Sequence, residues 1–160
     1  MRKLLLCLAS FLFGVLVPYF RCRRYLIRKE EQYSKISQKN MKMFLLAKKW
    51  MYINKEGNTI ERWLLKNEYH SVAIYGMSYI ADILIEELKD SGIEICYGID
   101  KNVTEMYSGI RVFKPSDRLA NVDVMVVTPI SFFDEIKRDM ETRVMCPIIS
   151  IEDIVYECLG

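Results

Sequence analysis

The chain has 160 residues, enough for one domain with an additional segment, and 51% of them are hydrophobic, so a sizeable core is available. Its net charge of +2 hides an asymmetry, because residues 1–69 hold 15 Lys and Arg against 5 Asp and Glu, whereas residues 70–160 hold 8 against 16. The acidic half argues against nucleic-acid binding, which needs clustered cations. With a single histidine and no CxxC spacing, the chain lacks the ligands of a zinc site. An odd number of cysteines, five, without a pattern is typical of a reducing compartment.

The first predicted element is an uncharged apolar segment, residues 4–20, which we interpret as a transmembrane anchor. Tyr19 and Phe20 at its end suit a membrane interface. A cleaved signal peptide is an alternative, but Arg21-Cys22-Arg23-Arg24 follows at once where a small-x-small cleavage site would be needed. A buried core helix is a second alternative, which the lack of a polar face disfavours.

The charges around this segment predict its orientation. Only the amino terminus, Arg2 and Lys3 precede it, whereas a longer series of basic residues follows it, namely Arg21, Arg23, Arg24, Arg28, Lys29, Lys35 and Lys39. Because the more basic flank stays in the cytoplasm, we expect a single-pass membrane protein whose C-terminal domain is cytoplasmic. Membrane lipid is then a partner through residues 4–20.

Three further segments follow the predicted anchor of residues 1–20. Residues 21–39 form a basic juxtamembrane stalk, residues 40–69 a helical lead-in, and residues 70–160 the main domain. Within the lead-in, the apolar side chains of residues 40–53 fall on one helical stripe that includes Trp50, and Thr59 is placed to cap the next short helix. The stripe predicts a helix packed on the domain, although an interfacial membrane helix has the same pattern.

The most informative stretch is residues 72–101, which has the pattern of a dinucleotide-type βαβ unit. A β-branched and aromatic strand, residues 72–75, ends at Gly76, and a helical pattern stops at Ser91-Gly92 before a second strand, residues 93–99. The turn has the sequence Gly76-x-Ser78-x-x-Ala81, and Asp100 lies 24 residues after Gly76, near the spacing of an acidic residue that binds ribose. The alternatives are a packing turn without ligand and a simple turn role for Asp100.

The remaining residues continue the βα pattern with three more predicted strands, residues 109–113, 122–128 and 147–149. Pro115-Ser116-Asp117 predicts a helix start, Ser131 a cap for a helix over residues 132–141, and Ser150 a cap for a last helix. The fold class is therefore α/β, an open parallel Rossmann-like sheet in the order 3-2-1-4-5, preceded by a transmembrane helix and short amphipathic helices. Ligands of such sheets bind at the switch between strands one and four, here formed by residues 76–78 and 128–130.

Three short motifs together resemble the small Rossmann-like domain of bacterial surface-polysaccharide gene clusters. They are Ile74-Tyr75-Gly76-Met77-Ser78, Ile99-Asp100-Lys101 and Val126-Val127-Thr128-Pro129. The domain is similar to the N-terminal domain of sugar acyltransferases and to the first cytoplasmic domain of membrane-anchored nucleotide-sugar dehydratases and epimerases. The likeness covers about residues 41–160. The chain lacks the left-handed β-helix that carries the acyltransferases' catalytic histidine. The epimerases and dehydratases use a Tyr-x-x-x-Lys catalytic pair, and here Lys29 follows Tyr25 at that spacing, but in the stalk.

The resemblance implies a membrane-anchored, non-catalytic module that binds a nucleotide or nucleotide-sugar in cell-envelope polysaccharide biosynthesis. No catalytic residue and no metal ligand is predicted, and NAD(P) or a nucleotide-sugar is the expected ligand. The predicted binding residues are Gly76, Met77, Ser78, Ala81, Asp100, Lys101, Thr128 and Pro129. The alternatives are a fragment of an NAD(P)-dependent epimerase or dehydratase-like oxidoreductase, and a scaffold that holds a glycosyltransferase or a second copy of itself.

Overall fold

The computed structural model describes residues 2–102 and 105–160, with side chains described from Pro18 onward. The chain forms two compact units, Met1–Lys42 and Met43–Gly160. Helix α1 (Arg2–Lys55) accounts for the described part of the first unit and contributes its last turns to the second. All other helices and strands belong to the second unit.

Helix α1 contains both the predicted stalk and the predicted lead-in helix without interruption. The apolar segment 4–20 lies for the most part among residues whose side chains are outside the described set, so the transmembrane anchor stays a prediction. Within the part of the chain that the structure describes, no helix combines the length and the apolar character needed to cross a membrane.

A six-stranded sheet is the core of the second unit. Its strands lie in the order β3-β4-β2-β1-β5-β6, and every neighbouring pair is parallel except β3 and β4. The strands are β1 (Ser71–Tyr75), β2 (Glu94–Ile99), β3 (Glu105–Tyr107), β4 (Ile110–Phe113), β5 (Val124–Val127) and β6 (Ile148–Ser150). The central strands β1 and β5 are covered on both faces, which is why they are continuous apolar runs rather than alternating ones.

The α/β class and the mostly parallel sheet are confirmed, but the five-strand order 3-2-1-4-5 is wrong for the sheet as a whole. The difference is the edge strand β3, which pairs antiparallel with β4. The two-residue connection Ser108-Gly109 has φ of +48° and +81°. Positive φ at both positions is characteristic of the turn that joins the strands of a tight hairpin. Three residues are too few to produce an alternating pattern in the sequence.

Helices cover the two faces of the sheet unequally. On the face formed by Val72 and Ile74, the buried side chains of α1, α2 (Ile60–Lys66), α3 (Tyr79–Leu88) and α5 (Ile151–Glu157) make one continuous core. On the opposite face, formed by Ala73 and Tyr75, helix α4 (Phe133–Met140) supplies Ile136 and Met140. Two predicted caps are confirmed: Thr59 Oγ1 accepts from the Arg62 N–H and Ser150 Oγ from the Glu152 N–H, both at 3.2 Å.

Two predicted helix starts are wrong. Residues 114–123 form turns, since the Asp117 carboxylate accepts from the Lys114 N–H at 2.9 Å and closes the chain locally. To pass from β4 over β2 and β1 to β5, the connection must cross about 14 Å, and it must also return to the start of the parallel strand β5. Ten residues in a helix would span only about 15 Å, which is too short for both distances. At the second position, a 3-10 turn over Ile130–Phe132 replaces the cap by Ser131, and α4 begins at Phe133.

One carboxylate links three helices of the second unit. Glu87 of α3 accepts hydrogen bonds from Trp50 Nε1 at 2.5 Å and Asn54 Nδ2 at 2.9 Å, both on α1. Its other oxygen accepts from the backbone N–H of Ile60, the first residue of α2, at 2.6 Å. The indole of Trp50 is 1% exposed, so Glu87 satisfies a donor that would otherwise be buried without a partner.

We expect the substitution Glu87→Gln to lower the free energy of unfolding by roughly 1–3 kcal/mol, because an amide nitrogen would then face a buried donor and the ionic hydrogen bonds would be lost. The matched control is Glu86→Gln. That side chain is 78% exposed and forms an ion pair with Lys89 at 3.9 Å. The control should change stability by less than about 0.5 kcal/mol. Urea unfolding of the full chain in mild detergent measures both, and equal effects would contradict the role assigned to Glu87.

Candidate functional site

The carboxyl ends of β1, β2 and β5 meet at one edge of the sheet, where the chain turns at Gly76, Asp100 and Thr128. Between these turns lies a cleft of about 310 Å³, which we call the switch cleft. It is lined by Tyr75, Gly76, Asp100, Lys101, Asn102, Pro129, Phe132, Glu135 and Ile136. Its position agrees with the general rule that open α/β sheets bind ligands beyond the carboxyl ends of their strands, where the strand order reverses.

Gly76 is required by a contact within the protein. Its φ is +92°, a conformation that L side chains rarely adopt, and a Cβ atom there would lie 2.4 Å from Pro129 Cγ and 2.9 Å from Thr128 Oγ1. The space that the missing side chain leaves is therefore filled by the β5–α4 connection. This contact corresponds to the packing turn that the sequence left open as an alternative, while the predicted role of Gly76 in ligand binding stays a prediction.

Thr128 holds the same turn by side-chain hydrogen bonds. The residue is 1% exposed, and its Oγ1 donates to the Gly76 carbonyl at 2.5 Å, with a longer contact of 3.3 Å to the Tyr75 carbonyl. The Thr128 N–H donates to the Tyr75 carbonyl at 3.0 Å, in continuation of the β1–β5 pairing. The hydroxyl thus supplies a buried carbonyl with a partner and holds the two loops of the switch together.

Asp100 fixes the turn from the other side. One carboxylate oxygen accepts from the Met77 N–H at 2.9 Å, and the other accepts from the Asn102 N–H at 2.8 Å. The carboxylate thereby occupies the N–H group that directly follows Gly76, where a phosphate would be expected in a dinucleotide site. A carboxylate has about four acceptor positions and can therefore bind more than one donor at a time.

The structure separates the remaining predicted residues. Lys101 and Pro129 line the switch cleft together with Gly76 and Asp100. Met77 is buried and packs on Gly98, where a Cβ atom would lie 2.6 Å from its sulfur, and Ala81 is fully buried on the core-facing side of α3. Ser78 is the residue before α3 but makes no side-chain capping hydrogen bond. Four predicted residues thus line the cleft directly, and Thr128 holds the turn beside it.

A second, wider cleft of about 570 Å³ adjoins the first, and we call it the basic cleft. Tyr75 and Lys101 line both. The other lining residues come from the β4–β5 connection, from α4 and from the turn after it, namely Lys114, Pro115, Ser116, Arg138, Asp139, Met140, Thr142 and Arg143. The two clefts therefore lie next to each other along the carboxyl edge of the sheet.

Tyr75 forms the common wall of the two clefts. It is 5% exposed, and no described residue hydrogen-bonds to its hydroxyl. Burial raises the pKa of this phenol above its ordinary value, and the charges of Asp139, Asp100 and Glu135 raise it further. The hydroxyl is therefore protonated at neutral pH and can donate a hydrogen bond.

Sequence reasoning missed Tyr75, Phe132 and Glu135 as site residues. Of the basic side chains of the second cleft it predicted Lys101 and missed Lys114, Arg138 and Arg143. A partial signal existed, because residues 132, 135, 136 and 139 recur at helical spacing and mark one face of α4. Lys114 and Arg143 carried no local signal. They reach the cleft because the connections that hold them are irregular.

Among the described residues, no group of three or more histidine, cysteine, aspartate or glutamate side chains is arranged to hold a metal ion. Comparisons with family models, with curated proteins and with solved structures found no match to this chain.

We expect Thr128→Val to reduce the free energy of unfolding by roughly 1–3 kcal/mol, because the buried Gly76 carbonyl loses its hydroxyl partner while the side-chain shape is kept. Thr142→Val is the control, since Thr142 is exposed and its hydroxyl makes only a 3.4 Å bond to the Asp139 carbonyl. Thermal unfolding monitored by circular dichroism compares the two. If Thr128→Val were as stable as the control, the hydroxyl would not hold the loops together.

Proposed function

We propose that this chain is a membrane-anchored, non-catalytic module that binds a nucleotide or nucleotide-sugar in cell-envelope polysaccharide biosynthesis. The observation that carries the proposal is the switch cleft at the reversal of strand order, where Asp100 and Lys101 stand beside the exposed ring of Phe132. Its volume of about 310 Å³ is at the lower end of ordinary small-molecule sites. The adjoining basic cleft extends the space available to a larger ligand.

The chemistry of the lining residues supports a nucleoside. The Asp100 carboxylate is of the type that accepts ribose hydroxyls, and it follows the second strand of the βαβ unit as it does in dinucleotide sites. Phe132 is half exposed at the rim and offers a flat apolar surface to a base. No histidine, cysteine or serine is among the described residues that line the switch cleft, so the Ser–His and Cys–His pairs of many hydrolases are absent from that lining.

A scaffold is the second candidate, and two observations favour it. Pro129 fills the space beside Gly76, and the Asp100 carboxylate already holds the Met77 N–H. In this function the switch residues would serve only to shape the domain, which would then hold a glycosyltransferase or a second copy of the chain at the membrane.

Calorimetric titration of the full chain in mild detergent, with UDP-, GDP- and CMP-sugars and with NAD(H), tests the proposal. We expect at least one nucleotide-sugar to bind, and Asp100→Asn to weaken binding roughly ten- to a hundredfold through loss of an ionic hydrogen bond. Asp90→Asn is the control, because Asp90 is exposed beyond the end of α3.

Since Asp100 also holds the turn, a second variant separates binding from folding. Phe132→Ala removes a side chain that is 50% exposed, so it should weaken nucleotide binding without changing thermal stability. Phe44→Ala, at a site 65% exposed on α1, is its control. If the wild-type chain bound none of these ligands at millimolar concentration, the scaffold would replace the binding function, and binding of NAD(H) alone would indicate an oxidoreductase fragment.

A further inference from the structure

The basic cleft concentrates positive charge in an otherwise acidic region. Residues 70–160 contain 8 basic residues against 16 acidic ones, yet Lys101, Lys114, Arg138 and Arg143 all line this one cleft. Half of the basic residues of the region therefore face one depression of about 570 Å³. Such focusing is the electrostatic requirement for binding a multiply charged anion.

These four cations are not used in ion pairs. Within residues 2–102 and 105–160, none of them lies within 4.0 Å of a carboxylate oxygen, whereas Lys89 and Lys137 each pair with a glutamate of their own helix region. The one hydrogen bond among their side chains is from Arg138 Nε to the Asp134 carbonyl at 3.2 Å. Asp139 is the only acidic residue that lines the cleft.

Tyr75 adds a neutral hydrogen-bond donor to the wall of the cleft. The residue is 5% exposed, but no described buried side-chain oxygen lacks a partner, so the Tyr75 hydroxyl, to which no described residue hydrogen-bonds, is reached by solvent and open to a ligand. Its protonated state makes it a donor toward the cleft it lines. A neutral donor at the wall and four cations around the opening together match an anion with several oxygen atoms.

The position of the cleft follows from the irregular β4–β5 connection. Residues 114–123 are irregular, and the exposed Lys114 and Ser116 line the cleft together with residues of α4 and of the turn after it. The usual phosphate position next to Gly76 is meanwhile closed by Pro129 and by the Asp100 bond to the Met77 N–H. A phosphoryl group at the carboxyl ends of the strands would therefore meet cations not beside Gly76 but in the basic cleft, where Lys101 follows β2 and Lys114 follows β4.

From this geometry we infer that the basic cleft binds the diphosphate of the ligand, with Lys101, Lys114, Arg138 and Arg143 facing its oxygens and the Tyr75 hydroxyl donating to one of them. The inference rests on the proposed function, since the nucleoside would occupy the adjoining switch cleft. Tyr75 and Lys101, which line both clefts, mark the junction between nucleoside and diphosphate.

Titration of the full chain with inorganic pyrophosphate tests the cleft without a nucleoside. Lys114→Ala and Arg143→Ala should each weaken binding roughly three- to tenfold, as expected for partly screened charges, and affinity should fall as salt is added. Tyr75→Phe should weaken it roughly two- to tenfold by removing one neutral hydrogen bond. The controls are Arg118→Ala, on the same connection but outside this cleft, Lys89→Ala and Tyr79→Phe.

The outcomes separate the two proposals. The inference is supported if pyrophosphate binds and the three cleft variants weaken it while the controls do not, even if no nucleotide-sugar binds and the proposed nucleoside site is thereby lost. It is overturned if pyrophosphate does not bind, or if cleft and control variants weaken binding equally. It is also overturned, with the proposed function intact, if a nucleotide-sugar binds in an Asp100-dependent manner that Lys114→Ala and Arg143→Ala leave unchanged.

Discussion

The packing of Pro129 on Gly76 is the contact on which the geometry of the carboxyl edge depends. It brings the turn after β1 and the turn after β5 together so closely that a single methyl group at residue 76 would lie 2.4 Å from the proline ring. The Thr128 hydroxyl and the Asp100 carboxylate then fix the two sides of the turn by hydrogen bonds to its backbone. With these three contacts in place, the switch cleft has a fixed shape before any ligand enters.

The unequal covering of the sheet explains why the clefts open where they do. Four helices bury one face, and the Glu87 carboxylate joins three of them, so that face offers no access to the strand ends. The other face is covered by α4 and by the irregular connection of residues 114–123. A short connection in place of a helix leaves room beside α4, and the room is lined by basic side chains. The second cleft is therefore a consequence of the short connection between β4 and β5.

Much of this arrangement could be predicted from the sequence, because local patterns decide it. The apolar runs of β1 and β5 and the caps at Thr59 and Ser150 depend on residues within a few positions of one another. The edge strand β3 could not be predicted in the same way, since three residues give no period and the hairpin depends on a positive φ at Ser108. The missing helix after β4 depends on the distance between strands, which only the strand order supplies.

The location of the candidate site could be predicted from the sequence, but only some of the residues that line it could. Gly76, Asp100, Lys101 and Pro129 follow strand ends, so the general rule for parallel sheets places them at the cleft. Tyr75 looks like an ordinary strand residue in the sequence. That its hydroxyl has no hydrogen-bond partner among the described residues, and that it lines both clefts, becomes visible only when its neighbours are known. Lys114 and Arg143 are distant in sequence and belong to irregular segments. Their convergence is a property of the tertiary structure.

The most direct test of the central contact is the unfolding free energy of Gly76→Ala compared with Gly109→Ala. Both glycines have positive φ, +92° and +81°, but a Cβ atom at Gly109 would meet nothing within 4 Å. Gly109→Ala therefore measures the backbone cost alone, about 1–2 kcal/mol. We predict that Gly76→Ala loses roughly 1–3 kcal/mol more in the absence of any ligand, because Pro129 must move. Equal losses in the two variants would contradict the packing role of Gly76.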